Sequence, residues 1–227
     1  MKIKKLAFLM IVIIIFTLFS ACSNSKTGTT ILYQGHASLR IISEDGIVIY
    51  IDPYRHVEDD YEVPADIILI THGHCEHNNP NIPAKKDDCV IIRWIDALAD
   101  GEYKSFPIKG IQIEAVEAKN PVHSKNCVGY IITVDDFIIY VAGDTGKTGQ
   151  MKTFSSLEID YAFFPCDEVY NLGMQEAIEC AEIVGAKHNI PYHATPHDFG
   201  HEKEVLESFY APNRLILLPG DLIYLEH

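Results

Sequence analysis

Three imidazoles and a carboxylate fall within six residues, His72-Gly73-His74-Cys75-Glu76-His77, directly behind the apolar run Ile67-Ile68-Leu69-Ile70. Imidazole nitrogen and carboxylate oxygen suit borderline divalent metals such as zinc, manganese or iron. A buried strand fixes the backbone at its end, and the loop beyond it can aim several side chains at one point. Alone, the stretch reads equally as a polar loop with solvated histidines. Three distant positions tip the balance: His123 in Asn120-Pro121-Val122-His123, Asp144 in Ala142-Gly143-Asp144-Thr145-Gly146, and His193 after Asn189-Ile190-Pro191-Tyr192. Each taken singly is better read as a loop histidine, a turn aspartate or a solvated imidazole. Jointly they complete a donor set large enough for two metals. Cys75 lies inside the loop, but its histidine neighbours are the better ligands.

The elements that must position these side chains are mostly strands. Thr30 to Tyr33, Ser38 to Ile42 and Ile47 to Ile51 are β-rich, with Glu44-Asp45-Gly46 as a turn between two of them. Asp52-Pro53 ends the third, because proline cannot continue a ladder. Asp66 to Thr71 carries the histidine loop, Val90 to Trp94 reads as a short strand, and Ile95 to Ala99 as a helical turn. Ile111 to Val116 is a further strand. Val128 to Thr133 and Phe137 to Val141 form a hairpin through Asp135-Asp136. Beyond it the pattern changes: Met174 to Val184 spaces its apolar residues for a helix, and Leu206 to Tyr210 is a shorter helical patch. Tyr161 to Phe164, Asn189 to Tyr192 and Leu215 to Leu218 read as strands, the second weakened by Pro191. The pattern predicts a layered α/β sandwich with its polar clusters at strand ends.

The N-terminus is of another kind. Lys2, Lys4 and Lys5 precede an apolar run from Leu6 to Phe19, then Ser20-Ala21-Cys22. This is the build of a secretory signal over residues 1–21, too short for a full membrane span. Phe19-Ser20-Ala21-Cys22 resembles the lipobox of bacterial lipoproteins, in which Cys22 would carry the lipid. Residues 22–29 then form a polar tether, and 30–227 one domain with chain enough for a substantial core. Removing the three lysines from 18 basic residues leaves 15 against 32 acids, a net charge of −17. Nucleic-acid binding needs a basic footprint, so that class is disfavoured. Anionic lipid would repel the surface as well, leaving the lipid on Cys22 as the expected membrane attachment. Five cysteines remain, an odd number without tight spacing, which is no disulfide framework.

With these pieces in place the chain resembles the metallo-β-lactamase superfamily, and within it the lactonase-like branch that includes ascorbate-6-phosphate lactonase. The resemblance rests on His72-x-His74-x-Glu76-His77, His123 ahead of Gly129-Tyr130, Gly143-Asp144-Thr145, and Ile190-Pro191-Tyr192-His193. Gly35-His36-Ala37-Ser38, Ile51-Asp52-Pro53 and Ile70-Thr71-His72 extend it over most of the domain. It implies a four-layer αββα sandwich with one cation on His72, His74 and His123 and a second on Glu76, His77 and His193. Asp144 would bridge the two, while Asp52 and His36 would orient ligands. Glu76 stands where the family's usual acid is aspartate, which changes reach and angle and leaves one or two metals open. Zinc is the expected metal, with manganese or iron as alternatives.

The chemistry implied is hydrolysis. A divalent cation lowers the pKa of bound water from about 15.7 to about 7, so a metal-bound hydroxide can attack without a protein nucleophile. Asp144 or Glu76 would move a proton to the leaving group. The expected substrate is a small lactone, ester or phosphodiester, with Arg55 and Arg93 as candidate anion contacts. The competing class is a non-catalytic lipoprotein that binds metal or ligand on the same fold. His197 and His201 follow His193 and are expected to be solvated rather than ligating.

Overall fold

The computed structural model describes residues 28–54, 61–120, 126–194 and 202–226. The signal over residues 1–21, Cys22, Arg55, His123, His197 and His201 lie outside them. In chain order the described elements are β1 (Thr30–Gly35), β2 (Ser38–Ile42), β3 (Val48–Ile51), β4 (Ala65–Ile70), β5 (Lys85–Arg93) and α1 (Trp94–Ala97). Next come β6 (Leu98–Ala99), β7 (Glu102–Tyr103), β8 (Ser105–Ile108), β9 (Ile111–Glu117), β10 (Val128–Val134), β11 (Phe137–Val141) and α2 (Met151–Phe154). The chain closes with β12 (Tyr161–Pro165), α3 (Met174–Val184), β13 (His188–Tyr192), α4 (Glu202–Glu207) and β14 (Leu222–Tyr224).

Two six-stranded sheets dominate, ordered β14-β1-β2-β3-β4-β5 and β13-β12-β11-β10-β9-β8. In each sheet two neighbouring pairs run parallel: β3 with β4 and β4 with β5 in the first, β11 with β12 and β12 with β13 in the second. The largest apolar cluster lies between the sheets and joins Ile31, Leu39, Ile49, Ile67 and Leu69 to Ile113, Tyr130, Ile132, Ile139 and Phe163. A second cluster packs α2, α3 and α4, through Met151, Phe154, Ala177, Ala181 and Leu206, on the outer face of the second sheet. A third covers the outer face of the first sheet with Tyr61, Val63, Ile82 and Trp94. Three apolar seams make four layers, and the fold is the predicted α/β sandwich.

Local chemistry accounts for the details. The turn between β10 and β11 is Asp135-Asp136, both at positive φ (46° and 69°), the geometry that lets a two-residue hairpin follow the sheet twist. The Asp135 carboxylate also accepts from the Glu44 backbone N–H at 2.7 Å, tying the hairpin to a turn of the other sheet. Helix α3 spans the residues its periodicity predicts and stops at Gly185, which sits left-handed at φ 68°. Pro191 is tolerated because β13 is an edge strand.

Two expectations differ. Leu215 to Leu218 forms no strand: next to it Arg214 makes an isolated bridge with Asn189 of β13, and Leu215 N–H donates to the Asn189 carbonyl at 2.9 Å. The chain's last strand is Leu222–Tyr224, paired with β1 at the edge of the first sheet. The helical patch begins earlier than predicted, as α4.

Asp66 ties the two sheets together. It is buried and accepts from the Val48 N–H at 2.9 Å, Lys86 Nζ at 2.6 Å and Lys109 Nζ at 2.8 Å. Burial would raise its pKa, but the two ammonium groups and the amide outweigh that and hold it below the usual carboxylate range. A depressed folded-state pKa contributes stability that is present above the unfolded value of about 3.9 and fades as pH falls through the folded value. Asp66→Asn is therefore expected to cost about 1–3 kcal/mol at neutral pH. That is less than removing one partner of a fully buried pair, because Lys86 is 41% exposed. Urea melts at pH 7 and pH 3 check this: the deficit should shrink at pH 3, and a constant deficit would refute the assignment.

Candidate metal centre

Six chain segments deliver polar side chains to one edge of the sandwich, each just past the C-terminal end of a strand: His36 after β1, Asp52 after β3, the His72 loop after β4, Asp144 after β11, Asp167 after β12 and His193 after β13. The carboxyl ends of strands in open α/β sheets are where ligands bind. Three of the six sit at positive φ without being glycine: His36 (53°), Asp52 (44°) and His193 (48°). Such backbone costs of order 1–3 kcal/mol per residue and gathers where surroundings enforce it. Here His193 N–H donates to the His36 carbonyl at 2.9 Å, and the Tyr33 hydroxyl donates to the same carbonyl at 3.0 Å.

The histidine loop is held against the sheets on both sides. The Tyr130 hydroxyl donates to the Ile70 carbonyl at 3.0 Å, and Val128 N–H donates to that of Thr71 at 3.0 Å. Gly73 is where the Trp94 indole lies over the loop; a Cβ there would meet the ring at 2.9 Å. Downstream, the backbone N–H groups of His77 and Asn78 both donate to the His74 carbonyl, which winds the loop into a helical turn.

Asp144 is the centre of the arrangement. Its carboxylate lies 3.5 Å from His72 Nε2, 3.4 Å from His77 Nε2 and 3.5 Å from His193 Nε2. Asn120 Nδ2 donates to its Oδ2 at 3.4 Å. His74 Nδ1 lies 3.0 Å from His72 Nε2. The outer nitrogens of the three inward-facing rings lie near oxygens, within hydrogen-bond geometry for His77 and His72. His77 Nδ1 is 2.9 Å from Asp52, His193 Nδ1 is 3.1 Å from Asp167, and His72 Nδ1 is 3.1 Å from the Thr71 hydroxyl. Asp52 in turn accepts from Thr71 N–H at 2.8 Å and from the Thr71 hydroxyl at 2.5 Å.

These donors fit a divalent cation. Three groups have ligand atoms within 4.8 Å of one another: His72, His74 and Asp144; Asp52, His72 and His77; and His36, His77 and His193. Two ligands sharing a tetrahedral ion at 2.0–2.1 Å stand about 3.4 Å apart, and the Asp144-to-imidazole distances match that spacing better than a good hydrogen bond. Electrostatics agree. Asp52, Asp144 and Asp167 are all buried, and burial pushes the Asp52 carboxyl well above its usual range. Burial and the surrounding imidazoles hold His77 well below the ordinary histidine value, leaving its nitrogen free of a second proton. Burial would lower His193 too, but Asp144 and Asp167 override it and raise it to about 9. A site so rich in buried carboxylate calls for positive charge.

The structure brings His36, Asp52, His72, His74, His77, Asp144 and His193 together. Glu76 departs from the expected arrangement. Among the described residues it joins no group of converging donors, and its Oε2 accepts from the exposed Cys75 thiol at 3.3 Å. The helical turn explains this, because successive side chains on a turn diverge: His77 is buried against Asp52 while Glu76 is left partly exposed. His123 lies outside the described residues, although Asn120 and Val128 on either side of its segment touch Asp144 and Thr71. Sequence reasoning missed Asp167, Asn120 and Thr71. Asp167 shares one signal with the expected ligands, a carboxylate just beyond an apolar strand.

Fold and donor set together define a metal-dependent hydrolase of the metallo-β-lactamase type. The chain belongs to the Beta-lactamase superfamily domain family, whose model matches residues 30–193. It is 30% identical over 187 residues to a UPF0173 metal-dependent hydrolase of Ligilactobacillus salivarius, covering 72% of this chain and 84% of that one. A UPF0173 metal-dependent hydrolase of Methanopyrus kandleri is 27% identical over 227 residues, covering 84% and 97%. Among solved structures, Igni18, a metallo hydrolase of Ignicoccus hospitalis, shares the fold with a TM-score of 0.68 at 21% identity, covering 88% and 100%.

Proposed function

We propose that this hydrolase opens a lactone, ester or phosphodiester bond in a small molecule, with one or two divalent cations, zinc first, held at the edge of the two sheets. The observation that carries the reading is Asp144 standing 3.4–3.5 Å from three imidazole nitrogens at once. His72, His74, His77, His193 and Asp144 would hold the metal. When bound, such a cation supplies Lewis acidity and an activated water near neutral pH. Asp52, itself held by Thr71, fixes the ring of His77; Thr71 also meets the outer nitrogen of His72. Asp144 would accept a proton and pass it to the leaving group. Glu76, at the partly exposed side of the loop, is a second acid set apart from the buried donors.

The substrate class follows from charge. A surface of net −17 after loss of the signal works against anionic sugar phosphates, so a neutral lactone or ester ranks above a phosphorylated one. Arg93 ends β5 in register with Ile70, beside the root of the histidine loop, and is a contact for an anionic group where the substrate has one. The same acidity disfavours nucleic acid. Export and lipid attachment at Cys22 remain part of the proposal, carried by Lys2 to Cys22; among the described residues no helix is long and apolar enough to cross a membrane. The non-catalytic alternative draws no support from the relatives, which are named as hydrolases.

The test is metal analysis of purified protein with a panel of generic lactone, ester and phosphodiester probes. Stoichiometric metal and turnover of at least one probe, lost on chelation and restored by zinc or manganese, are expected. Tight metal binding without turnover of any probe would favour the binding-protein reading.

A further inference from the structure

Resting on the metal-centre reading above, we propose that Trp94 is a positioning residue: its indole bears on Gly73 and so sets how His72 and His74 present their nitrogens to a metal. Strand pairing brings the ring to the loop. β5 runs parallel to β4 with Arg93 opposite Ile70, so Trp94 leaves its strand level with the root of the histidine loop. Its backbone is fixed there. The Arg93 N–H donates to the Asp96 carboxylate at 3.0 Å, and the Leu98 N–H closes a helical turn on the Trp94 carbonyl. The side chain packs against both the cluster between the sheets and the one on the outer face of the first sheet. The ring therefore has little room to retreat.

Gly73 stands between the two histidines, and its contact with the ring is close. A Cβ on Gly73 would lie 2.9 Å from Trp94 Cζ2 and 3.1 Å from Cη2. The backbone does not call for glycine here, because Gly73, unlike Gly143, is not at positive φ. It is the indole that excludes a side chain. On either side of Gly73, His72 Nε2 and His74 Nδ1 stand 3.0 Å apart with their rings edge to face, and both belong to the group that includes Asp144. Close-packed contacts pass a displacement on rather than absorb it. A ring resting on the residue that joins the two histidines thus limits how far their side chains can swing apart.

The experiment is a double-mutant cycle on the full chain, read as zinc affinity by calorimetry, with urea melts to check that each variant is folded. Gly73→Ala should bind zinc roughly tenfold more weakly, the low end of what disturbing an outer contact of a metal site costs. Cζ2 and Cη2 lie beyond the reach of a phenylalanine ring in the same place, so Trp94→Phe makes room for the added carbon. Introduced into the Trp94→Phe background, Gly73→Ala should therefore weaken zinc binding by less than about threefold. Trp94 is the only tryptophan of the chain and is partly exposed. Wild-type emission, excited where tyrosine does not absorb, should accordingly change and saturate as zinc is added, a measurement that needs no variant. Unchanged affinity in Gly73→Ala, equal losses in both backgrounds, or emission indifferent to bound zinc would overturn the role while leaving the metal centre standing. Wild-type protein that takes up no zinc, manganese or iron would sink the metal-centre reading, and this role with it.

Discussion

Asp144→Ala is expected to reduce metal-supported hydrolysis by roughly a thousandfold or more, because a cation's contribution to a transition state is worth several kcal/mol and each 1.4 kcal/mol is about tenfold. The expectation rests on position. No other carboxylate among the described residues is recorded within 3.5 Å of three imidazole nitrogens. His74→Ala should act in the same direction, since its Nδ1 is the donor closest to His72. The fold should survive both changes. The two-sheet core does not use either side chain, and removing one acid from a crowd of buried carboxylates relieves repulsion with Asp52. Turnover of the probe that wild type accepts, measured with circular dichroism and metal content, checks this. Near-normal rates in both folded variants would show that the chemistry lies elsewhere.

That centre was readable from the chain because strand ends leave a strong signal. Ile67 to Ile70 is apolar at every position, as a strand buried on both faces must be, and the histidines begin two residues later. Gly143-Asp144 and Tyr192-His193 repeat the pattern of apolar strand, short break and polar side chain. What spacing could not show was direction. Glu76 and His77 are neighbours in sequence, yet the two N–H bonds to the His74 carbonyl turn one inward and leave the other beside Cys75. Asp167 was passed over for a related reason: its place beyond an apolar strand does not by itself distinguish a carboxylate wrapped by its own loop from one in solvent.

The fold shows the same division. Core strands and α3 announce themselves by periodicity. The first half of β5, Lys85 to Asp88, is wholly exposed on an edge strand, so no burial pattern marks it. Leu215 to Leu218 has the composition of a strand, but its apolar side chains cover sheet faces from a connecting segment. Composition reports burial, and burial alone does not specify a ladder.

Gly143→Ala is expected to cost about 2–5 kcal/mol and to displace Asp144. Two independent penalties meet at this residue. Its φ of +66° is left-handed, which disfavours any side chain by about 1–2 kcal/mol. An added Cβ would also stand 2.8 Å from the Val128 carbonyl oxygen and 3.0 Å from Thr71 Cβ. Overpacking of this kind costs about 1–3 kcal/mol, and relief is hard to find. Val128 and Thr71 are bonded to each other across the sheets, and Thr71 holds Asp52. The strain must therefore pass to the Asp144 loop. Gly185→Ala is the internal control: its φ is +68° but no atom lies within 4 Å of the added carbon, so only the backbone penalty of about 1–2 kcal/mol applies. Urea denaturation of both variants, with zinc titration of each, separates the two terms. Gly143→Ala should be the less stable and should bind zinc more weakly than wild type, whereas Gly185→Ala should bind as wild type does. Equal destabilisation with unchanged zinc binding would mean that the close approach of β4, β10 and the Asp144 turn does not set the geometry of the centre.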